Sequence, residues 1–204
     1  MTKTLFFGGA FNPLTNAHLA LADYARKQLG YDKVLFVPTK SHYILKTEQK
    51  TASFDEKDRL AMLEEVSENH PWMEVSSIEI DQQSQPRTYF TLKALREKDY
   101  DLKLLMGSDW LAGLETKWLY IDEILDEFGI VVMKRNGDDI EGILNSSDYL
   151  KARKDRLMIL DTPSTYQAVS SSKVRALLEE RRYDDVKQLV PTEVYHWLER
   201  NMTK

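Results

Sequence analysis

A chain of 204 residues, 42% hydrophobic and 30% charged, is long enough to bury the core of one sizeable α/β domain without cross-links. With no cysteine, a disulfide framework, a thiolate nucleophile and a cysteine zinc site are all excluded. The net charge of −5 is spread without any block of Lys or Arg, so a polynucleotide partner is not expected, whereas a small anion held by a few local cations remains compatible. Residues Met1–Phe7 lack the apolar region of a signal peptide, and no stretch approaches about 18 consecutive apolar residues; the expected setting is the cytoplasm, away from membranes.

Leu5–Phe7 is a short apolar run ending at Gly8-Gly9, which reads as a buried strand and turn. From Asn16 to Leu29, Ala17, Leu21, Tyr24, Ala25 and Leu29 recur at helical spacing, and Gly30 is a fitting stop. Lys33–Val37 is a second strand closed by Pro38, followed by a loop to Ala52. Ser53 to about Glu68 reads as a helix opened by a Ser53/Glu56 capping box. Strands are expected at Trp72–Ser76, Leu102–Met106, Ile130–Met133 and Leu157–Leu160. Helical patterns cover Thr88–Glu97, Asp109–Leu114, Ile121–Phe128, Ser171–Glu180, Tyr183–Leu189 and Thr192–Arg200. Apolar strands alternating with amphipathic helices predict a Rossmann-like, doubly wound, mainly parallel sheet with helices on both faces. Residues 1–204 form one domain in this reading, with a small C-terminal helical segment from about 171 to 204. Ligands then belong beyond the carboxyl ends of the strands, in the loops after Phe7, Val37, Met106, Met133 and Leu160.

The first of those loops is Gly8-Gly9-Ala10-Phe11-Asn12-Pro13-Leu14-Thr15-Asn16-Ala17-His18. Two glycines after a strand let backbone amides approach an anion, and the following helix start adds partial positive charge. Thr15 and His18, three apart, are expected to face the same bound phosphate. Neither a P-loop nor a GxGxxG pattern is present. The last loop, Val169-Ser170-Ser171-Ser172-Lys173-Val174-Arg175, puts serines at a helix start with Ser171 near the cap and Arg175 one turn on, a set suited to phosphate.

The eleven-residue first loop resembles the GGxFxPxHxGH signature of the nucleotidyltransferase superfamily, closest to the bacterial nicotinate mononucleotide adenylyltransferases, with Thr15 for the first histidine and Ala17 for the glycine. The last loop resembles the ISSTxxR motif of the same superfamily, and Gly107-Ser108-Asp109 its GxD element. The resemblance, running from Gly8 to Arg175, implies catalytic roles for His18, Thr15 and Arg175. It implies ATP binding by Gly8, Gly9, Ala10, Phe11, His18, Gly107, Asp109, Val169, Ser170, Ser171 and Arg175. Lys46, Thr88, Trp118 and Arg135 are the implied mononucleotide ligands: Trp118 matches a tryptophan that stacks on the pyridine ring, and Thr88 survives from a segment in which Pro86 and Arg87 replace Ser-Tyr. Arg59 matches a structural helix arginine, and His42, His70 and His196 receive no role. No protein metal site is implied, Mg²⁺ travelling with ATP. The implied function is transfer of AMP from ATP to nicotinate mononucleotide, with nicotinamide mononucleotide or phosphopantetheine as alternative acceptors. A nucleotide-binding sensor without chemistry is the alternative of another class, and a homo-oligomer is compatible with either.

Overall fold

The computed structural model describes residues 1–46, 54–134, 137–166 and 168–202. Its strands are β1 (Thr2–Gly9), β2 (Lys33–Pro38), β3 (Met73–Val75), β4 (Tyr100–Gly107), β5 (Ile130–Lys134) and β6 (Leu157–Asp161). The helices are α1 (Asn16–Leu29), α2 (Ser41–Lys46), α3 (Glu56–Ser67), α4 (Thr88–Arg96), α5 (Leu114–Lys117), α6 (Ile121–Glu127), α7 (Ile140–Asn145), α8 (Asp148–Ala152), α9 (Ser171–Glu179), α10 (Tyr183–Lys187) and α11 (Thr192–Met202). The six strands form one parallel sheet in the order β3-β2-β1-β4-β5-β6. This is a Rossmann-like α/β fold.

Successive side chains of a strand leave opposite faces of a sheet, and here both faces are apolar. Leu5 and Phe7 of β1, Val34 and Phe36 of β2 and Leu105 of β4 join one core with α1, α3 and the C-terminal helices. Their neighbours Phe6, Leu35, Val37, Leu104 and Met106 join a second core with α4, α6, α7 and α8. Fully burying side chains of this size contributes roughly 1.5–3 kcal/mol each, so the strands read as continuous apolar runs. α9, α10 and α11 supply Val174, Leu177, Leu178, Val186, Val194, Trp197 and Leu198 to the first core, with Val190 from the turn between the last two. The C-terminal segment is therefore part of the packing.

Helix ends differ from the sequence expectation in small, explicable ways. α1 spans Asn16–Leu29 as expected, and Gly30 takes φ 67° while its N–H meets the carbonyls of Arg26 and Lys27. α3 is capped by Asp55, which accepts from the Asp58 amide; the expected cap, Ser53, lies outside the described residues. Residues 108–113 wind as a 3₁₀ turn before α5, where an α-helix over Asp109–Leu114 was expected. α2, α7 and α8 were not anticipated. Each is five or six residues long and buries one or two apolar side chains, too few to show a helical period. Among the described residues, no helix is long and apolar enough to cross a membrane.

Candidate active site

The strand order reverses between β1 and β4, so the crevice beyond their carboxyl ends is where an open α/β sheet accepts a ligand. β1 ends in Gly8 and Gly9, paired with Val37 and Pro38 of β2. A Cβ on Gly8 would sit 3.0 Å from the Phe6 ring, and one on Gly9 would sit 3.2 Å from the Phe11 ring. Side chains at these two positions would crowd those rings, so close packing as well as access to the crevice favours glycine. Phe11 turns the chain with φ 42°. Its ring is only 2% exposed and meets Phe7, Phe36 and His18 at centroid distances of 5.3–5.4 Å. Phe11 therefore brings backbone to the crevice, its side chain serving the core.

Thr15 caps α1, its Oγ1 accepting from the His18 amide at 3.4 Å. In return the Thr15 N–H donates to His18 Nδ1 at 3.1 Å, and Oγ1 lies 2.8 Å from the same nitrogen. Cap and ring are locked reciprocally, a histidine filling the place that Glu or Gln takes in a capping box. Because Nδ1 accepts a backbone hydrogen, the neutral ring carries its proton on Nε2. Thr15 is 0% exposed. Instead of facing a phosphate beside His18, it stands one step behind and sets that ring. The Asn16 N–H is also committed, to the Leu189 carbonyl at 2.9 Å. His18, and not the first amide of α1, is what this helix start presents.

The two loops at opposite ends of the chain meet. Ser171 Oγ donates to the Pro13 carbonyl at 2.8 Å, and Arg175 Nη1 donates to the Asn12 carbonyl at 2.8 Å. A second Arg175 nitrogen donates to Ser172 Oγ at 3.1 Å. The cap of α9 is Ser170, accepting from the Lys173 amide at 3.2 Å, which leaves Ser171, next to it, to bridge the loops. Burial draws the Arg175 guanidinium below its ordinary value, with Glu179 opposing; a guanidinium keeps its charge regardless. Val169 is half-buried just ahead of this cap.

Gly107 and Asp109 lie at and just beyond the carboxyl end of β4. Ser108 between them is buried, and Asp109 is exposed in the turn that follows the strand. Thr88 opens α4, half-buried, with no side-chain cap from Arg87. Trp118, also half-buried, is met edge-on by Trp110 at 5.8 Å. Lys46 is the last residue of α2. Arg135 lies outside the described residues. His42 is exposed on α2, His70 packs on Trp72 and His196 on Tyr195, none of them in these loops. Among the described residues, no group of three or more His, Asp or Glu is arranged to hold a metal ion.

The cytidylyltransferase-like family model matches residues 6–177, from β1 to α9. A Streptococcus pneumoniae serotype 4 protein named "Probable nicotinate-nucleotide adenylyltransferase" is 33% identical over 195 residues, covering 95% of this chain and 84% of that one. A protein of the same name from Clostridium novyi strain NT is 31% identical, covering 94% and 93%. The solved Plasmodium falciparum nicotinic acid mononucleotide adenylyltransferase complexed with NaAD shares the fold at TM-score 0.76 and 18% identity, covering 98% of this chain and 96% of that chain. The chain belongs to the cytidylyltransferase-like family, among the nicotinate-nucleotide adenylyltransferases.

Three braces stand behind this adenylyltransferase-family site, and of their residues the sequence marked only Arg59 as structural. Asn12 is 2% exposed; its backbone carbonyl receives Arg175, and its side-chain oxygen accepts from the Phe54 amide at 3.3 Å. Arg59, read as structural, is fully buried and donates to the carbonyls of Ala10 and Thr39, both at 2.5 Å. It ties the loops after β1 and β2 together from beneath. A cation at a helix position otherwise facing the core was the available signal. Ser108 Oγ donates to Asp138, joining the loops after β4 and β5; nothing in the local pattern marked that pair.

Proposed function

We propose that this chain transfers AMP from ATP to nicotinate mononucleotide. A phosphate oxygen of the mononucleotide attacks the α-phosphorus of ATP in line. The new P–O bond forms as the bond from that phosphorus to the bridging oxygen breaks, releasing pyrophosphate and the deamido-NAD dinucleotide. No protein nucleophile is needed, so the chain's task is positioning and neutralising charge. Residues 1–204 act as one nucleotidyltransferase domain, since the C-terminal helices both share its core and seat the Arg175 loop.

His18 Nε2 and the amides of Gly8, Gly9 and Ala10 face the triphosphate from the β1 side. Arg175, with the loop Val169-Ser170-Ser171, closes it from the α9 side. Thr15 acts through His18. Gly107 and Asp109 border the nucleoside of ATP, while Lys46, Thr88, Trp118 and Arg135 serve the mononucleotide. Mg²⁺ arrives bound to the ATP phosphates, as suits a cation that keeps much of its coordination to water and phosphate. A cytoplasmic setting would supply the ATP.

The observation that carries this reading is the joining of the two phosphate-type loops, Ser171 on Pro13 and Arg175 on Asn12, with His18 on the helix that the first loop enters. The test is pyrophosphate release from ATP with nicotinate mononucleotide, nicotinamide mononucleotide and phosphopantetheine in parallel. The nicotinate acceptor is expected to give the highest kcat/KM. ATP binding with no turnover on any acceptor would instead establish a sensor.

A further inference from the structure

The acceptor half of the crevice is assembled from two segments that different helices deliver. α4 ends at Arg96, just before β4 begins at Tyr100, so its first residue Thr88 lies toward the carboxyl end of the sheet. α6 precedes β5 in the same manner, which sends the segment Trp118-Leu119-Tyr120 to that same side. Rings from the two segments interlock there. Tyr120 stacks on Tyr89 at 5.6 Å and 20°, and Phe90 meets Tyr120 edge-on at 4.9 Å. Tyr89 is itself anchored, its hydroxyl donating to Glu127 at 2.6 Å.

Tyr120 has φ 64° and ψ 29°. A bulky residue in the left-handed region is strained and persists only where its surroundings over-determine it. Aromatic pairs stabilise beyond the area they bury, and the two partner rings hold the strained turn. Yet the cluster stays at the surface, with Phe90 48%, Tyr120 41% and Leu119 56% exposed. A purely packing role would bury these side chains. The strain instead fixes the chain direction two residues after Trp118, whose ring is met edge-on by Trp110.

We propose that Tyr120 is a positioning residue for the acceptor: clamped by Tyr89 and Phe90, its left-handed turn sets the Trp118 platform at a fixed separation from Thr88. This inference rests on the reading above that Trp118 and Thr88 receive the mononucleotide. Tyr120→Gly removes the ring while relieving the backbone strain, so the variant folds. It is expected to raise KM for nicotinate mononucleotide about tenfold, equivalent to ~1.4 kcal/mol, with KM for ATP and kcat within about twofold of the parent. Tyr120→Phe keeps the ring and is expected to restore the parent KM. An unchanged acceptor KM in Tyr120→Gly, or equal losses in kcat and both KM values, overturns the proposal. Trp118→Ala measured alongside separates the two levels. If it too leaves the acceptor KM unchanged, the assignment of Trp118 falls and this inference with it; if it raises that KM and Tyr120→Gly does not, only the role of Tyr120 falls.

Discussion

Under the proposed function, the two halves of the crevice are built by different means. The triphosphate half is a hydrogen-bonded lock: Thr15 with His18, Ser171 with Pro13, Arg175 with Asn12, and Arg59 under Ala10 and Thr39. The acceptor half rests on ring contacts and on short helices, with Tyr120 strained at its centre. Hydrogen bonds between named donors and acceptors fix a geometry to tenths of an ångström and punish any change of residue type. Aromatic packing fixes position more loosely and tolerates rings of similar shape. The chemistry common to all such transfers is the triphosphate chemistry. Discrimination between acceptors belongs to the half that can vary without breaking a buried bond.

The sharpest way to break this contrast is at His18. Removing one charge-stabilising donor from a preorganised site costs on the order of a hundredfold or more in rate. His18→Ala is expected to lower kcat by that amount, with KM for the mononucleotide little changed. A near-parental kcat would mean that the locked end does not carry the chemistry.

Thr15 tests the lock itself, with an intermediate effect. Its hydroxyl caps α1 and its Oγ1 and amide hold His18 Nδ1. Thr15→Ala removes the hydroxyl and keeps the amide, so the ring loses one of two restraints. Loss of the cap is expected to cost about 1 kcal/mol of stability, read from urea unfolding. kcat is expected to fall about tenfold, less than in His18→Ala. Thr15→Ser should recover both. Stability lost with kcat intact would make Thr15 a cap and nothing more.

Much of the triphosphate half was legible because its determinants are local. A strand running into two glycines, a cap and a histidine three residues on all lie within one loop and the helix it opens. The strands were legible for the same reason: both faces of the sheet are covered, so Val34–Pro38 and Ile130–Met133 are apolar throughout. What escaped is long-range or degenerate. Ser170 and Ser171 are chemically alike, and only the fold decides that the first caps α9 and the second reaches Pro13. The bond from Asn16 to Leu189 joins residues that no spacing relates. α7 hides for another reason, since Ile140 and Leu144 are its only buried residues. In the acceptor half, Lys46 is placed only as the end of α2. Tyr120 carried no mark at all, because a left-handed tyrosine is a property of its neighbours.

The smallest expected effect is a pH dependence, and it probes how the acceptor half is tied to the rest. Glu79, 3% exposed, accepts from Thr91 of α4 at 2.9 Å and from Gln85 at 2.5 Å. The oxygen of Gln85 in turn accepts from the Lys40 amide after β2, at 2.8 Å. One buried carboxylate therefore links the β2 loop, the segment before α4 and α4 itself. Burial pushes its carboxyl above the usual carboxylate range, with the two donors only partly offsetting it. A raised pKa in the folded state means that folding favours the protonated acid, so this contribution is complete below the unfolded pKa and is lost as pH rises through the folded one. Glu79→Gln cannot titrate. The melting temperature of the parent, measured relative to this variant from about pH 4.5 to pH 8, should therefore decline toward the alkaline end. The reverse slope would mean that donors outweigh burial at Glu79, making the acceptor side as firmly hydrogen-bonded as the triphosphate side and removing the contrast between them.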